Sequence, residues 1–147
     1  MDVRFSIALP REAYTVAVVR VSLGQALRAG GICADCRSDI LTAASEACAN
    51  VIDHGHPATS YEVAAWLRGD TCVLEVGSMG PAFDPGSVRP PGPDAESGRG
   101  LLLMHTLVDT VEFGRSPSGL AVVRMRRRFD PACRCGARAP RPRSAKV

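Results

Sequence analysis

A chain of 147 residues, of which 46 % are hydrophobic, fits one domain with a core of its own. No apolar run is long enough to span a membrane and the first residues lack a secretory signal, which excludes membrane and secreted classes and predicts a cytoplasmic protein. The net charge is +3, and the positive charge is concentrated at the C-terminus. Residues 124–147 hold nine of the 18 basic residues and one of the 15 acidic residues, whereas residues 1–123 hold nine basic and 14 acidic residues. A basic end binds polyanions only non-specifically, and no aromatic residue beyond Phe129 could stack on bases, so nucleic acid is not an expected partner.

The cysteine content raises the question of disulfides or a metal. The six cysteines are Cys33, Cys36, Cys48, Cys72, Cys133 and Cys135. Without a secretory signal they are expected to be reduced thiols, and Cys48 and Cys72 lie inside apolar patterns typical of a core. Cys33-x-x-Cys36 and Cys133-x-Cys135 could instead supply four zinc ligands, although the second spacing is tighter than in most structural zinc sites. Zinc therefore stays an open alternative for these two pairs.

Hydrophobic periodicity predicts three helices and five strands. The predicted strands span residues 3–9, 61–67, 72–76, 110–114 and 120–128, and the predicted helices span residues 11–29, 35–54 and 98–108. Asp35 or Ser38 is the expected N-cap of the second helix. Residues 84–99 are rich in Pro and Gly, which predicts a mobile lid, and residues 130–147 have no apolar period, which predicts a disordered tail. The domain is expected over residues 1–129, as an α+β two-layer sandwich with a mixed, mostly antiparallel β-sheet and about three helices packed on one face.

The second predicted helix carries a polar column near its C-terminal end. Glu46, Asn50 and His54 follow one another at four-residue spacing and therefore share a face, with Asp53 beside them. The opposite face is apolar and would pack inward. A carboxylate and a carboxamide one turn apart can polarise a hydroxyl or water while the amide oxygen holds a divalent metal. For the column alone, a solvated helix face is the simpler interpretation.

Two glycine motifs follow the column in the sequence. The first, Ser78-Met-Gly80-Pro-Ala82-Phe83, comes at the end of a predicted strand, where Gly80 would let the backbone approach a ligand. The second, Gly98-Arg99-Gly100-Leu101, starts the third predicted helix, where free backbone amides can cradle phosphate. Each motif alone is a weak signal, because glycines also serve as ordinary turn and helix-end residues.

Taken together and in this order, Glu46-x-x-x-Asn50-x-x-x-His54-Gly55, the glycine turn and Gly98-x-Gly100-Leu101 resemble the ATP-binding boxes of the GHKL superfamily, which includes gyrase and histidine kinases. Within that superfamily the chain looks most like the small bacterial anti-sigma-factor serine/threonine kinases. The similarity extends over about residues 3–129 and implies the Bergerat, or histidine-kinase-like ATPase, fold. It also implies ATP and Mg²⁺ as cofactors, a sigma factor and an anti-anti-sigma protein as partners, and a homodimer as an assembly that can form.

The resemblance also implies roles for individual residues. Asn50 would coordinate a magnesium ion that bridges the ATP phosphates, and Glu46 would be the base that takes the proton from a substrate serine or threonine. The implied nucleotide contacts are Asn50, Asp53, Ser78, Gly80, Ala82, Phe83, Gly98, Arg99, Gly100 and Leu101. Asp53 and His54 are as well placed to hold the helix end as to touch nucleotide. Phosphoryl transfer needs mainly positioning and electrostatic stabilisation, so these few groups suffice for a kinase that phosphorylates an anti-anti-sigma partner and sequesters a sigma factor.

The chain departs from the family pattern at the glycine turn. That pattern is Asp-x-Gly-x-Gly, whose Asp accepts a hydrogen bond from the adenine amino group, whereas this chain has Ser78 and Ala82 at the first and last positions. Charge-assisted hydrogen bonds contribute about 1.5 to 3 kcal/mol against about 1 kcal/mol for neutral ones, which predicts ATP binding weakened several-fold to about thirtyfold. Ala82 adds a cost of about 1 to 2 kcal/mol if that position needs positive φ. The alternative function is therefore a degenerate family member that regulates by binding partners, without productive ATP binding.

Overall fold

The computed structural model describes residues 3–80 and 96–129 of the chain, with side chains over residues 4–80 and 102–129. Eight elements lie within these ranges: β1 (Val3–Pro10), α1 (Thr15–Ala29), α2 (Ala34–His54), β2 (Ser60–Arg68), β3 (Thr71–Ser78), α3 (Glu96–Leu107), β4 (Thr110–Arg115) and β5 (Ala121–Arg128). Every predicted helix and strand is present, and most lie within one or two residues of their predicted bounds. Among the described helices, none has both the length and the apolar character that crossing a bilayer requires. The predicted tail, and the predicted lid up to residue 95, lie outside the described residues. The last four residues of the predicted lid, 96–99, are instead the first turn of α3.

The five strands form one sheet in the order β1-β2-β3-β5-β4. Each neighbouring pair is antiparallel, so the described sheet is antiparallel throughout, where the sequence predicted a mixed and mostly antiparallel one. Tight turns at Gly69 (φ 56°) and Gly119 (φ 91°) join β2 to β3 and β4 to β5, and both turns use the left-handed backbone that glycine favours. β1 is an edge strand and therefore accommodates Pro10, which has no N–H to donate to a neighbour.

The two faces of the sheet differ in composition. Alternate residues of β2, β3 and β5 are buried and form the core with the apolar sides of the helices. On the other face, arginines of β5 pair with carboxylates of β3, of β4 and of the turn between β2 and β3. These pairs are Arg124 with Glu75, Arg126 with Glu112 at 3.2 Å, and Arg128 with Asp70 at 3.3 Å. The helices thus cover one face, as the sequence predicts, and these three arginines of β5 on the other face each have an acidic partner.

The first helix begins later than its apolar pattern predicts. The predicted start is residue 11, but α1 begins at Thr15 after a turn over residues 12–14. The reason is a competing contact, because the Arg11 N–H donates to the Thr59 carbonyl at 2.9 Å and holds the chain beside the start of β2. The predicted end is confirmed, with Gly30 as the C-cap.

The start of α2 also differs from the prediction. Its N-cap is Cys33 rather than Asp35 or Ser38, and the Cys33 sulfur accepts a hydrogen bond from the Cys36 N–H at 3.4 Å. Cys33 is disulfide-bonded, so the expectation that all six cysteines are reduced is wrong for this residue. The thiols among the described cysteines are Cys36, Cys48 and Cys72, and all three are buried. Cys33 itself is half-buried at the start of the helix.

Two core thiols make the stability of the fold sensitive to alkaline pH. Burial raises the pKa of Cys48 and the pKa of Cys72 from the ordinary 9.0 to about 12. Above about pH 9 the unfolded chain releases these protons while the native state keeps them. We therefore expect the free energy of unfolding to have its full value below about pH 9. It should fall as the pH rises towards 12, by about 1.4 kcal/mol per pH unit for each thiol. Urea unfolding across this range measures the slope. Cys72→Ala should reduce the slope of the free energy of unfolding against pH. A free energy of unfolding that does not change with pH in the native protein would contradict the burial of these thiols.

Candidate functional site

The site is built around the C-terminal half of α2, which packs between α1 and α3 and against β3. One side of this helix is fully buried, with Ala44, Ala47 and Cys48 in the core. The other side carries the predicted polar column, in which Glu46 and Asn50 are half-buried. Burial of the apolar side fixes the rotation of the helix about its own axis. The polar side therefore faces away from the sheet. The predicted amphipathic division of α2 is confirmed.

The polar column has no competing partners in the described part of the chain. There, the side chains of Glu46 and Asn50 form neither hydrogen bonds nor ion pairs, and the same holds for Asp53 and His54, which are exposed. A carboxylate and a carboxamide held half-buried on a rigid helix keep their lone pairs available to a ligand. This arrangement suits proton abstraction at Glu46 and oxygen coordination at Asn50, which lies one turn further along.

Arg11 secures the end of the site helix, and the sequence alone did not reveal it. Its Nε donates to the Ala58 carbonyl at 2.6 Å, and its Nη1 donates to the Ile52 carbonyl in the last turn of α2. A cation at a helix C-terminus satisfies carbonyls that have no partner within the helix and interacts favourably with the helix dipole. No local pattern could have found this contact, since Arg11 and Ile52 are 41 residues apart in the chain.

Two glycines bring the end of α2 into direct contact with the turn after β3. A Cβ atom added to Gly80 would lie 2.3 Å from the carbonyl oxygen of Gly55 and 3.2 Å from its Cα. Gly55 is the C-cap of α2, so this contact joins the polar column to the glycine turn. The need for glycine at Gly80 is therefore explained first by its close packing against the backbone of another segment. Its predicted role in shaping an adenine pocket stays a prediction.

Ser78 occupies the position where the family pattern has Asp, and the structure places it inside the fold. It is 4 % exposed at the end of β3, and its Oγ accepts a hydrogen bond from the Gly80 N–H at 3.3 Å. Its neighbour in the sheet is Tyr61, whose hydroxyl is 2.6 Å from Thr15 Oγ1. Burial raises the pKa of Tyr61 to about 12, so this hydroxyl stays neutral. Burial of the polar side chains of Ser78 and Thr15 was not predicted from the sequence.

The third motif is placed only by its backbone. α3 begins at Glu96, so the amides of Gly98 and Arg99 fall within the first turn, whose N–H groups have no partner inside the helix. Gly100 is the next residue after that turn. The predicted contacts Ala82 and Phe83 lie outside the described residues, as does the side chain of Leu101. The first turn of α3 suits anion binding, while the roles of the individual residues stay predictions.

The residues present fit magnesium better than zinc. No group of three or more metal-binding side chains occurs in the described ranges. Magnesium with a nucleotide does not need one, because it keeps several waters and binds one or two protein oxygens together with the phosphates. The accessible carboxamide of Asn50 can supply such an oxygen. The four-cysteine zinc site is incompatible with the disulfide at Cys33, since a disulfide sulfur is not a thiolate ligand.

The sheet, its three helices and the three motifs on α2, on β3 and at the start of α3 define a class of nucleotide-binding domain. The family model described as the histidine kinase-like ATPase domain matches residues 9–127, and the chain belongs to this family. The GHKL resemblance stated from the sequence is thereby confirmed.

Two similar relatives come from Bacillus species. The serine-protein kinase RsbW of Bacillus cereus strain AH187 is 28 % identical over 121 residues, which cover 74 % of this chain and 76 % of the relative. RsbW of Bacillus thuringiensis subsp. konkukian strain 97-27 is equally similar, with the same coverage. The fold is similar to the crystal structure of the RsbU and RsbW domains of a Mycobacterium tuberculosis protein, with a TM-score of 0.65 and 22 % identity. That alignment covers 85 % of this chain and 32 % of the other, so the chain spans about a third of that protein.

Proposed function

We propose that the chain is an ATP-dependent serine/threonine protein kinase of the anti-sigma-factor type, which phosphorylates an anti-anti-sigma protein and sequesters a sigma factor in the cytoplasm. The observation that carries this proposal is the pair Glu46 and Asn50, half-buried one turn apart on α2 without a partner in the described part of the chain. Similarity to the serine-protein kinase RsbW favours a serine kinase over other activities of the family.

Each group of the site has a task in this proposal. The Asn50 amide oxygen would hold magnesium, which would supply positive charge to stabilise the transferred phosphoryl group. The Glu46 carboxylate accepts the proton of the attacking hydroxyl. Backbone amides in the first turn of α3 hold the phosphates, and the turn of Ser78 and Gly80 receives the adenine. The helix packing and the Arg11 contacts keep α2 rigid, which matters because the reaction depends mainly on positioning.

A second candidate function, a regulator that binds partners without productive ATP binding, is favoured by the surroundings of Ser78. Its hydroxyl is uncharged and already accepts the Gly80 N–H, so one of its two lone pairs is occupied. An adenine amino group would therefore find a weaker acceptor than a carboxylate, which offers more acceptor sites and a full charge.

Ser78→Asp distinguishes the two candidates. We expect this substitution to tighten MgATP binding several-fold to about thirtyfold, because a charged acceptor replaces a neutral one. Calorimetric titration of MgATP into the native protein and the variant measures the change. Ser6→Asp on the exposed face of β1 is the matched control and should leave affinity unchanged.

Measurable MgATP binding by the native protein supports the kinase. Binding that appears only in Ser78→Asp supports the partner-binding regulator, whose adenine pocket has decayed. Equal affinity in the native protein and in Ser78→Asp contradicts the assignment of Ser78 to adenine. Binding in neither protein, while both are folded by circular dichroism, contradicts ATP as the ligand.

A further inference from the structure

The turn after β3 carries a buried hydroxyl where the family pattern has a carboxylate. Ser78 is the last residue of β3 and is 4 % exposed, whereas the next residue, Met79, is 67 % exposed. The hydroxyl therefore lies just beneath the surface of the turn. Gly80 follows and packs against the backbone of Gly55 at the end of α2. This packing holds Ser78 beside the helix that carries the polar column.

One hydrogen bond fixes the oxygen of the Ser78 hydroxyl and leaves its proton unused. The Gly80 N–H donates to Ser78 Oγ at 3.3 Å and occupies one of the two lone pairs of that oxygen. Within residues 3–80 and 96–129, no group accepts the Ser78 proton. A buried donor without an acceptor is unfavourable, and a ligand that supplies an acceptor removes this cost.

The polar neighbour of Ser78 in the sheet directs its own proton elsewhere. Tyr61 is the register partner of Ser78, and its hydroxyl lies 2.6 Å from Thr15 Oγ1. Thr15 Oγ1 donates its proton to the Glu12 carbonyl at 2.6 Å, so Tyr61 is the donor in the bond to Thr15. These two hydroxyls therefore satisfy each other and a backbone carbonyl, and Ser78 is not part of their hydrogen bonds.

The two classes of purine differ in the group that this hydroxyl would meet. Position 6 of adenine carries an amino group, which donates, whereas position 6 of guanine and of hypoxanthine carries an oxygen, which accepts. A carboxylate can only accept, so it selects the amino group. A serine hydroxyl can donate and accept, and at Ser78 the donor is the unused function. The hydrogen-bonding capacity of Ser78 therefore favours a 6-oxo group.

We propose that Ser78 extends the base specificity of the pocket to 6-oxopurine nucleotides, so that a guanine or hypoxanthine triphosphate binds more tightly than ATP. The inference rests on the proposed function, in which the turn of Ser78 and Gly80 receives the base. With adenine, Ser78 accepts from the amino group through its remaining lone pair, and its proton stays unpaired. With a 6-oxopurine, the hydroxyl donates to the base oxygen while it accepts from Gly80. The triphosphate is the same in both classes of nucleotide.

Calorimetric titration of the magnesium complexes of ATP, inosine triphosphate (ITP) and GTP into the full chain tests this proposal. ATP and ITP share the ribose and the triphosphate and differ where the 6-oxo group of hypoxanthine replaces the 6-amino group of adenine. Their affinity ratio therefore isolates the contact at position 6. We expect the native protein to bind MgITP about two- to tenfold more tightly than MgATP, the effect of one neutral hydrogen bond. MgGTP adds the 2-amino group and identifies which 6-oxopurine fits.

Two variants of Ser78 test whether the preference comes from its hydroxyl. Ser78→Asp should reverse the preference and bind MgATP at least about tenfold more tightly than MgITP, because a carboxylate accepts from the amino group and repels the 6-oxo group. Ser78→Ala has no hydroxyl and should bind the two nucleotides within about twofold of each other. Ser6→Asp, on the exposed face of β1, is the matched control and should keep the native ratio.

The same titrations contain the results that would overturn the proposal. The first is a native protein that binds MgATP as tightly as MgITP or more tightly, which leaves the kinase function unaffected. The second is an affinity ratio that is equal in the native protein and in Ser78→Asp. Binding that appears only in Ser78→Asp overturns the proposal and favours the partner-binding regulator. If no folded variant binds any of the three nucleotides, the proposal and the nucleotide site fail together.

Discussion

Glu46→Gln is expected to lower the rate of phosphoryl transfer by about 10² to 10⁴, the usual contribution of a positioned general base. Glutamine keeps the shape of the side chain but cannot accept the proton of the attacking hydroxyl. Glu46 is half-buried on α2 and has no partner among the described residues, so the substitution should not disturb the packing of the helix. MgATP affinity should stay within about threefold, because the carboxylate is not assigned to nucleotide binding.

The measurement is single-turnover transfer of radiolabelled phosphate from ATP to anti-anti-sigma proteins of the source organism. Glu62→Gln is the matched control, since Glu62 is an exposed glutamate of β2 on the far face of the sheet. It should transfer at the native rate. If Glu46→Gln transferred as fast as the native protein, Glu46 would not be the base. A parallel loss of MgATP binding would place Glu46 in the nucleotide pocket instead.

Gly80→Ala is expected to destabilise the fold by about 3 kcal/mol or more and to abolish nucleotide binding. The added Cβ would lie 2.3 Å from the Gly55 carbonyl oxygen, and the obstacle is backbone, which cannot rotate away as a flexible side chain can. Relief requires the end of α2 to move away from the turn after β3. That movement would separate the polar column from the glycine turn, so binding and stability should fall together.

Urea unfolding of Gly80→Ala and of Gly114→Ala provides the comparison. Gly114 lies in β4, and a Cβ added there would meet nothing within 4 Å. The Gly114→Ala variant should change the free energy of unfolding by no more than about 1 kcal/mol. A Gly80→Ala protein as stable as Gly114→Ala would show that the close approach of Gly80 to Gly55 is not needed for the fold.

The sequence predicted those features that repeat along the chain. The alternation of β2 and β3 and the amphipathic pattern of α2 each extend over many residues, so both elements and the polar column on Glu46 and Asn50 were placed correctly. The glycine turns of the two hairpins were found for a similar reason, because Gly69 and Gly119 need a backbone conformation that few residues adopt.

Long-range contacts were not predictable from the sequence. The Arg11 contact with α2 and the approach of Gly80 to Gly55 join segments that are 41 and 25 residues apart, and neither leaves a periodic signal. The cap at Cys33 was missed because Asp35 and Ser38 are stronger capping residues in general. Burial of the Ser78 side chain limits the access of a ligand to it. That burial results from three-dimensional packing and could not be predicted from the sequence.

The most direct test of the proposed site is a calorimetric titration of ATP, with magnesium and with EDTA, into the native protein, Asn50→Ala and Gln25→Ala. Gln25 is the only other carboxamide in the chain and is exposed on α1, so its removal controls for the loss of an amide. The site predicts micromolar binding that requires magnesium, is retained in Gln25→Ala and is lost in Asn50→Ala. Binding that is unaffected by EDTA and equal in native protein and Asn50→Ala would contradict a magnesium–nucleotide site on α2.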